Sequence, residues 1–176
     1  MKDLLVVDGY NIIFAWKSLK SLANQSLEHA RERLIDILAS YGKTKGYELI
    51  LVFDAMYTEE SAKSMNVGKD CKIIFTDKEE TADSRIEKLV YEHRHEHRSI
   101  FVATSDGSEQ NQILGTGAYR IPARELADDV ERARKELKSY ERQNVLSETH
   151  SRNEVVSHVQ NDEVLQKLEK IRRSKK

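Results

Sequence analysis

The sequence predicts an α/β fold whose central, mostly parallel sheet is covered by helices on both faces. Two observations carry this prediction. Short apolar runs, such as Leu4 to Asp8, read as strands that are buried on both sides. These runs alternate with longer amphipathic segments that have helical periodicity. Alternating strands and helices imply right-handed crossovers, which place the strands parallel to one another in one sheet.

About five strands are predicted, each from one short apolar run. They are Leu4 to Asp8, Leu49 to Phe53, Lys72 to Phe75, Ser99 to Ala103 and Ala118 to Ile121. The connection from Met56 to Lys72 has no strong periodicity, and long connections of this kind often carry recognition.

The helices are predicted from apolar stripes at helical spacing. They cover about Asn24 to Tyr41, Thr81 to about His95, Ser108 to Leu114, and a segment marked by Leu126 to Tyr140. Residues 143–160 are polar without a stripe, so a loop or disorder is expected there. A short helix is expected from Asn161 onward, before a cluster of positive charges. Residues 1–140 are therefore the predicted folded domain, and 141–176 a polar, partly helical, basic tail.

Composition narrows the class of protein. The chain has 176 residues, 39% of them hydrophobic and 34% charged, which suits one domain with an appendage. No run approaches the roughly 20 apolar residues that a membrane span needs, and no secretory signal is recognisable. The single cysteine, Cys71, excludes an intramolecular disulfide and a cysteine-based zinc site. The net charge of -1 excludes a uniformly basic nucleic-acid coat but not a local patch. A soluble cytoplasmic protein is expected.

Four aspartates lie at or near the ends of predicted strands. Asp8 and Asp54 end the first and second strands, Asp106 follows the fourth, and Asp83 lies in the first turn of the helix after the third. The carboxyl ends of parallel strands share one edge of the sheet, where ligands bind. Clustered carboxylates repel one another unless a cation intervenes. Their oxygens suit Mg²⁺ or Mn²⁺, and such a metal can promote phosphodiester hydrolysis.

Each acid also has a purely structural interpretation. An aspartate at a strand-to-helix junction is often a helix cap or a turn residue. Asp54 could cap a turn before Tyr57, and Asp83 could simply favour the helix dipole. The recurrence of acids at corresponding strand ends favours an acidic metal pocket over four separate caps.

Polar residues near these acids could position a substrate or a water molecule. Asn11 lies three residues after Asp8, Ser105 directly precedes Asp106, and Gln110 lies one turn into the next helix. Helix capping or a surface amide is an equally good interpretation of Asn11 and Gln110.

Four motifs resemble one known family. They are VDGYN (7–11), VFDA (52–55), ETADSRIEKLV (80–90) and ATSDGSEQ (103–110), in this order. Together they resemble the YacP-like branch of the NYN-domain family, within the PIN-like ribonuclease superfamily. The resemblance implies a PIN-like three-layer α/β/α sandwich over residues 1–140. It implies a metal-dependent endoribonuclease with Mg²⁺ or Mn²⁺ as cofactor. It also implies mRNA as substrate, the ribosomal A site as location, and neither DNA nor membrane as partner.

The resemblance also implies roles for individual residues. Asp8, Asp83 and Asp106 match the metal-binding, catalytic acids of the family. Asn11 matches its signature asparagine, and Asp54 matches an additional acid near the metal. Many PIN domains have a further glutamate in an earlier helix, which is not assignable here, and this leaves the number of metal ions open.

Binding of RNA would need cations and exposed aromatic rings near the acids. Arg85, Lys88 and Lys69 are candidate RNA-binding cations, although scattered basic residues are usually a solvated face. Tyr10 and Tyr57 are expected to be exposed at the rim of the site. Phe14 and Trp16, in the same part of the chain, are expected in the core or on a partner surface.

Three other functions compete with the nuclease, which should leave 5′-phosphate and 3′-hydroxyl ends. A haloacid-dehalogenase-type phosphatase needs a second acid two residues after the first, where this chain has Tyr10. A phospho-acceptor receiver usually has paired acids at its first strand and a lysine after its last. A non-catalytic RNA- or ribosome-binding module would be expected to lose acids from the pocket, and the main four are present.

Overall fold

The computed structural model describes residues 1–57, 63–105 and 117–159, with side chains of the last helix as far as residue 146. Its centre is a six-stranded sheet of order β3-β4-β2-β1-β5-β6. The strands are β1 Leu4–Asp8, β2 Glu48–Phe53, β3 Lys63–Asn66, β4 Cys71–Phe75, β5 Ile100–Thr104 and β6 Tyr119–Pro122. Every neighbouring pair is parallel except β3 and β4.

Five α-helices lie in the described part of the chain. They are α1 Gly9–Ala15, α2 Lys17–Ala23, α3 Leu27–Lys45, α4 Ala82–His93 and α5 Ala123–Val159. None of them has both the length and the apolar character required to cross a bilayer. The chain divides into two compact units, Met1–Arg134 and Lys135–Lys176, and the sheet belongs to the first.

Side chains of β1 supply both halves of the core. Leu5 and Val7 belong to one apolar cluster, which includes residues of α1, α3 and the first turns of α5. Leu4 and Val6 belong to a second cluster, which includes the apolar stripe of α4. All five residues of β1 are buried. The predicted three-layer α/β/α arrangement with a central parallel sheet is therefore confirmed.

Helix boundaries follow local chemistry. Ser26 begins α3 because its hydroxyl accepts a hydrogen bond from the main-chain N–H of His29 at 3.2 Å. Gly46 ends α3 in the left-handed region at φ +77°, a conformation that few other residues adopt readily. Thr81 begins α4 in the predicted way, and its hydroxyl accepts from the N–H of Ser84.

Two parts of the fold were not predicted from the sequence. The segment between Asp8 and residue 24 forms α1 and α2, which are too short to show a clear stripe. The antiparallel strand β3 lies inside the connection from Met56 to Lys72, for which no strand was predicted. All four of its residues are exposed, so β3 lacks the apolar run that marks a buried strand.

The prediction of a loop or disorder at residues 143–160 is wrong as far as Val159. Helix α5 continues through this segment without interruption. The sequence of this segment shows no apolar stripe by which the helix could be detected. The helices predicted at 108–114 and from Asn161 onward lie outside the described residues.

Gly9 should be intolerant of any side chain. A methyl group at this position would overlap the ring of Phe53, which is fully buried and has no room to move. We expect Gly9→Ala to lower the free energy of unfolding by about 1–3 kcal/mol, as overpacked cores do. Urea denaturation followed by circular dichroism would measure this loss.

Gly42→Ala is the matched control, because the nearest atom to a methyl group in that helical position is 3.7 Å away. Removing a glycine from a helix should leave stability unchanged or raise it by up to about 1 kcal/mol. Equal stability of Gly9→Ala and wild type would contradict the packing argument.

Candidate active site

Asp8 is the centre of the candidate site. It is the last residue of β1 and also the cap of α1, so its backbone is held by two elements. One carboxylate oxygen accepts a hydrogen bond from the main-chain N–H of Asn11 at 3.2 Å. The other accepts from the Asn11 side-chain amide at 2.8 Å. Asn11 therefore orients the carboxylate of Asp8, in addition to any contact that it makes with a substrate.

The charge of Asp8 is poorly compensated. The side chain is only 5% exposed, and its pKa is raised from 3.8 to about 6, chiefly by burial. The negative charges of Asp83 and Asp54 contribute to this rise, while the two hydrogen bonds from Asn11 oppose it. A cation placed beside Asp8 would relieve both burial and repulsion.

Asp54 connects two elements at the same edge of the sheet. One of its oxygens accepts from the main-chain N–H of Met56 at 2.8 Å, as in a turn. The other accepts from the N–H of Ala82 at 3.3 Å, in the first turn of α4. Asp54 therefore has the turn-forming role that the sequence allowed, and it holds the start of α4 near β2. Asp83, one residue further along α4, is exposed.

Two acidic side chains at the amino edge of the sheet form ion pairs, whereas the three acids at the carboxyl edge form none with the described residues. At the amino edge, Glu48 pairs with Arg98 at 2.5 Å and Asp70 pairs with Lys2 at 2.7 Å. At the carboxyl edge, Asp8, Asp54 and Asp83 form no ion pair within the described residues, although the latter two repel Asp8. Negative charge therefore accumulates around Asp8 at the carboxyl edge.

The described residues do not complete a metal site. No group of three acidic, histidine or cysteine side chains close enough to hold an ion occurs among residues 1–57, 63–105 and 117–159. Asp106, the fourth predicted acid, lies outside these ranges, and so does Gln110. Its neighbour Ser105 is described, and its carbonyl accepts from the guanidinium of Arg120 at 3.2 Å.

The expectation that Tyr10 is exposed is wrong. The short helix α1 turns this ring inward against Phe53, and only 3% of the residue is exposed. Its hydroxyl accepts a hydrogen bond from Arg31 at 3.1 Å. Tyr57 is exposed as predicted, at 42%, and packs on Tyr10 with 4.9 Å between ring centroids. Phe14, expected in the core or on a partner surface, is not in the core: it is 41% exposed and packs beside Tyr57.

The predicted RNA-binding cations are distributed unevenly. Arg85 and Lys88 lie on α4 close to Asp83, with Arg85 half-buried and Lys88 exposed. The Nε atom of Arg85 is buried without a hydrogen-bond partner among the described residues. Lys69 precedes β4 and so lies at the amino edge of the sheet, away from Asp8.

Two basic residues near the site, Arg120 and Arg31, were not among the functional residues predicted from the sequence. Arg120 reaches the carbonyl of Ser105, directly after β5, and its Nε is buried with no partner in the described part of the chain. A charge within an otherwise apolar short strand was the available signal. No feature of the sequence marked Arg31 as part of the site, because a basic residue on a helix usually faces solvent.

Comparison with known proteins places the chain in one family. The family described as "YacP-like NYN domain" matches residues 5–173. A protein of Bacillus subtilis (strain 168), "Uncharacterized protein YacP", is 40% identical over 171 residues, which cover 97% of each chain.

Two solved structures are also similar. "Crystal structure of Rae1 (YacP) from Bacillus subtilis" is 40% identical, with a TM-score of 0.72 over 97% of this chain and 95% of that one. The crystal structure of a mutant form of the same protein is 41% identical, with a TM-score of 0.70 over 81% of this chain and 83% of that chain. These matches confirm the resemblance that the four motifs indicated. The chain belongs to the YacP-like NYN-domain family, a nuclease-like family.

Proposed function

We propose that this protein is a metal-dependent endoribonuclease that hydrolyses phosphodiester bonds of mRNA. The observation that carries the proposal is the buried Asp8 carboxylate, whose pKa is raised by burial and by two neighbouring acids. At the opposite edge of the sheet, Glu48 and Asp70 form ion pairs, whereas buried Asp8 forms none with the described residues. Membership of a nuclease-like family supports the same reaction.

The side chains at the carboxyl edge fit a hard divalent cation. Asp8, Asp83 and the predicted Asp106 would hold Mg²⁺ or Mn²⁺, with Asp54 as an additional acid nearby. All are oxygen donors, which these ions prefer over nitrogen or sulfur. When bound, the metal would lower the pKa of a water molecule and stabilise negative charge on phosphate oxygens. Hydrolysis of this kind leaves a 5′ phosphate and a 3′ hydroxyl.

Residues around the acids have distinct roles in the proposal. Asn11 keeps both oxygens of Asp8 in a fixed orientation through two hydrogen bonds. The exposed rings of Phe14 and Tyr57 provide a surface on which an unpaired base can stack. Ser105 and Gln110 would position the substrate phosphate. Tyr10 contributes indirectly, because the ring of Tyr57 packs against it.

The ribosomal A site is the proposed location of cleavage, and cytoplasm the proposed compartment. This part of the proposal rests on the family resemblance. Cleavage assays with and without ribosomes therefore test the proposed location separately from the proposed hydrolysis.

Loss of one acid should abolish cleavage. We expect Asp8→Asn, Asp83→Asn and Asp106→Asn each to reduce the cleavage rate at least 100-fold, because each removes charge from the metal site. Single-stranded RNA would be incubated with Mg²⁺ or Mn²⁺, with and without translating ribosomes, and the cut ends mapped. Asp36→Asn, an exposed acid on α3, is the control and should cleave normally.

RNA that stays intact under every one of these conditions would contradict the proposal. If the protein then still bound RNA or ribosomes, it would be a non-catalytic binding module of the same fold.

Asp8→Asn should also stabilise the metal-free protein. The pKa of Asp8 is about 6 in the folded state, against 3.8 in the unfolded chain. Between these two pH values the folded state therefore binds more protons than the unfolded state. The contribution of Asp8 to the free energy of unfolding is fully present below about pH 4 and is lost as the pH rises through 6. Without metal at pH 7, the variant should therefore be more stable by about 1–3 kcal/mol.

Urea denaturation in a chelator at pH 4 and pH 7 would measure this difference, which should be small at the lower pH. Adding Mg²⁺ or Mn²⁺ at pH 7 should raise the melting temperature of the wild type more than that of Asp8→Asn. Equal metal responses would indicate that Asp8 does not contact the ion.

A further inference from the structure

A crevice of about 940 Å³ lies on the helical face of the first unit, apart from the acids described above. Its walls are the junction of α1 and α2, the middle of α3, and the first turns of α5. None of Asp8, Asp54 or Asp83 lines it. The crevice is large enough for several nucleotides or a short peptide segment.

The rim of the crevice is cationic. Lys17, Arg33 and Arg124 are exposed, and none of them forms an ion pair with a side chain of the described ranges. Arg134 also lines the rim, but both of its bonds, at 3.1 Å, go to Glu131. Four cations against one acid leave an excess of positive charge that a polyanion would neutralise.

The floor of the crevice is mostly apolar. It includes the half-buried side chains of Trp16, Ile37, Ala127 and Val130. The indole N–H of Trp16 donates to the carbonyl of Ala123 at 2.8 Å, which fixes the ring between α1 and α5. An immobilised aromatic side chain beneath a basic rim suits a ligand that has both phosphates and planar bases.

The crevice begins at the same edge of the sheet as Asp8. Ala123 directly follows β6, and β6 is parallel to β5, which is parallel to β1. Two strand spacings separate the ends of β1 and β6, a distance of about 10 Å. A single strand of RNA that crosses Asp8 can therefore reach the Arg124 end of the crevice within a few nucleotides.

We propose that this crevice binds the segment of single-stranded RNA that flanks the cleaved bond. Phosphates would lie on Lys17, Arg33 and Arg124, and a base would pack against Trp16. Guanidinium groups favour phosphate because they can bond two of its oxygens at once, and the hydroxyls of Ser18 and Ser21 add hydrogen-bond donors. The inference rests on the proposed function for the identity of its ligand.

The experiment uses the full chain carrying Asp8→Asn, with EDTA present, so that RNA is not cleaved. A fluorescein-labelled 12-nucleotide RNA is titrated by anisotropy in this background, alone and combined with Arg33→Ala, Arg124→Ala or both. Each single change should raise the Kd about 3- to 10-fold, and each should reduce the slope of log K against log salt by about 1.

Lys43→Ala is the matched control, because Lys43 is an exposed cation on the last turn of α3 and does not line the crevice. Its Kd and salt slope should equal those of the background. If Arg33→Ala and Arg124→Ala change binding no more than Lys43→Ala does, the inference is overturned.

Trp16 supplies a second readout, because it is the only tryptophan in the chain. Its fluorescence should change on titration with unlabelled RNA, and to a lesser extent in the double variant. A response to poly-glutamate but not to RNA would overturn the inference and assign the crevice to an acidic protein segment. Since binding is measured without catalysis, absence of cleavage by the wild type would refute the nuclease proposal and leave this test unaffected.

Discussion

Burial of one carboxylate at the end of the central strand is the constraint on which the site depends. Asp8 ends β1, which is buried along its whole length, and Asp8 also caps the first helix. Its side chain cannot move to solvent without releasing Asn11 and disturbing the start of α1. The fold therefore holds the Asp8 carboxylate in a position where its pKa is raised. The proposed metal binding depends on that position.

The four central strands β1, β2, β4 and β5 could be predicted well because they are mostly buried. An apolar run of five residues, such as Leu4–Asp8, is informative when both faces of a sheet are covered. The acids at strand ends followed from the same reasoning, since parallel strands bring their carboxyl ends to one edge. Position along the chain was therefore enough to predict that Asp54 and Asp83 lie within electrostatic range of Asp8.

Features that depend on side-chain direction could not be predicted in this way. Tyr10 is turned into the core because α1 begins at once after β1, and a seven-residue helix has too few positions to show its period. The exposed edge strand β3 buries too little apolar surface to leave a pattern, and the sequence of residues 143–159 in α5 shows no apolar stripe. Arg31 can be recognised only through its partner Tyr10, which lies 21 residues away along the chain.

The contact between Gly9 and the ring of Phe53 joins the acid-bearing turn to the hydrophobic core. The geometry of the turn is thus maintained by packing, whereas the carboxylate itself lowers stability. A lineage that no longer needed the reaction could replace Asp8 in one mutational step and gain thermodynamic stability without repacking anything. Retention of the acid over evolutionary time would then require continuous purifying selection, and inactive descendants should keep an intact scaffold.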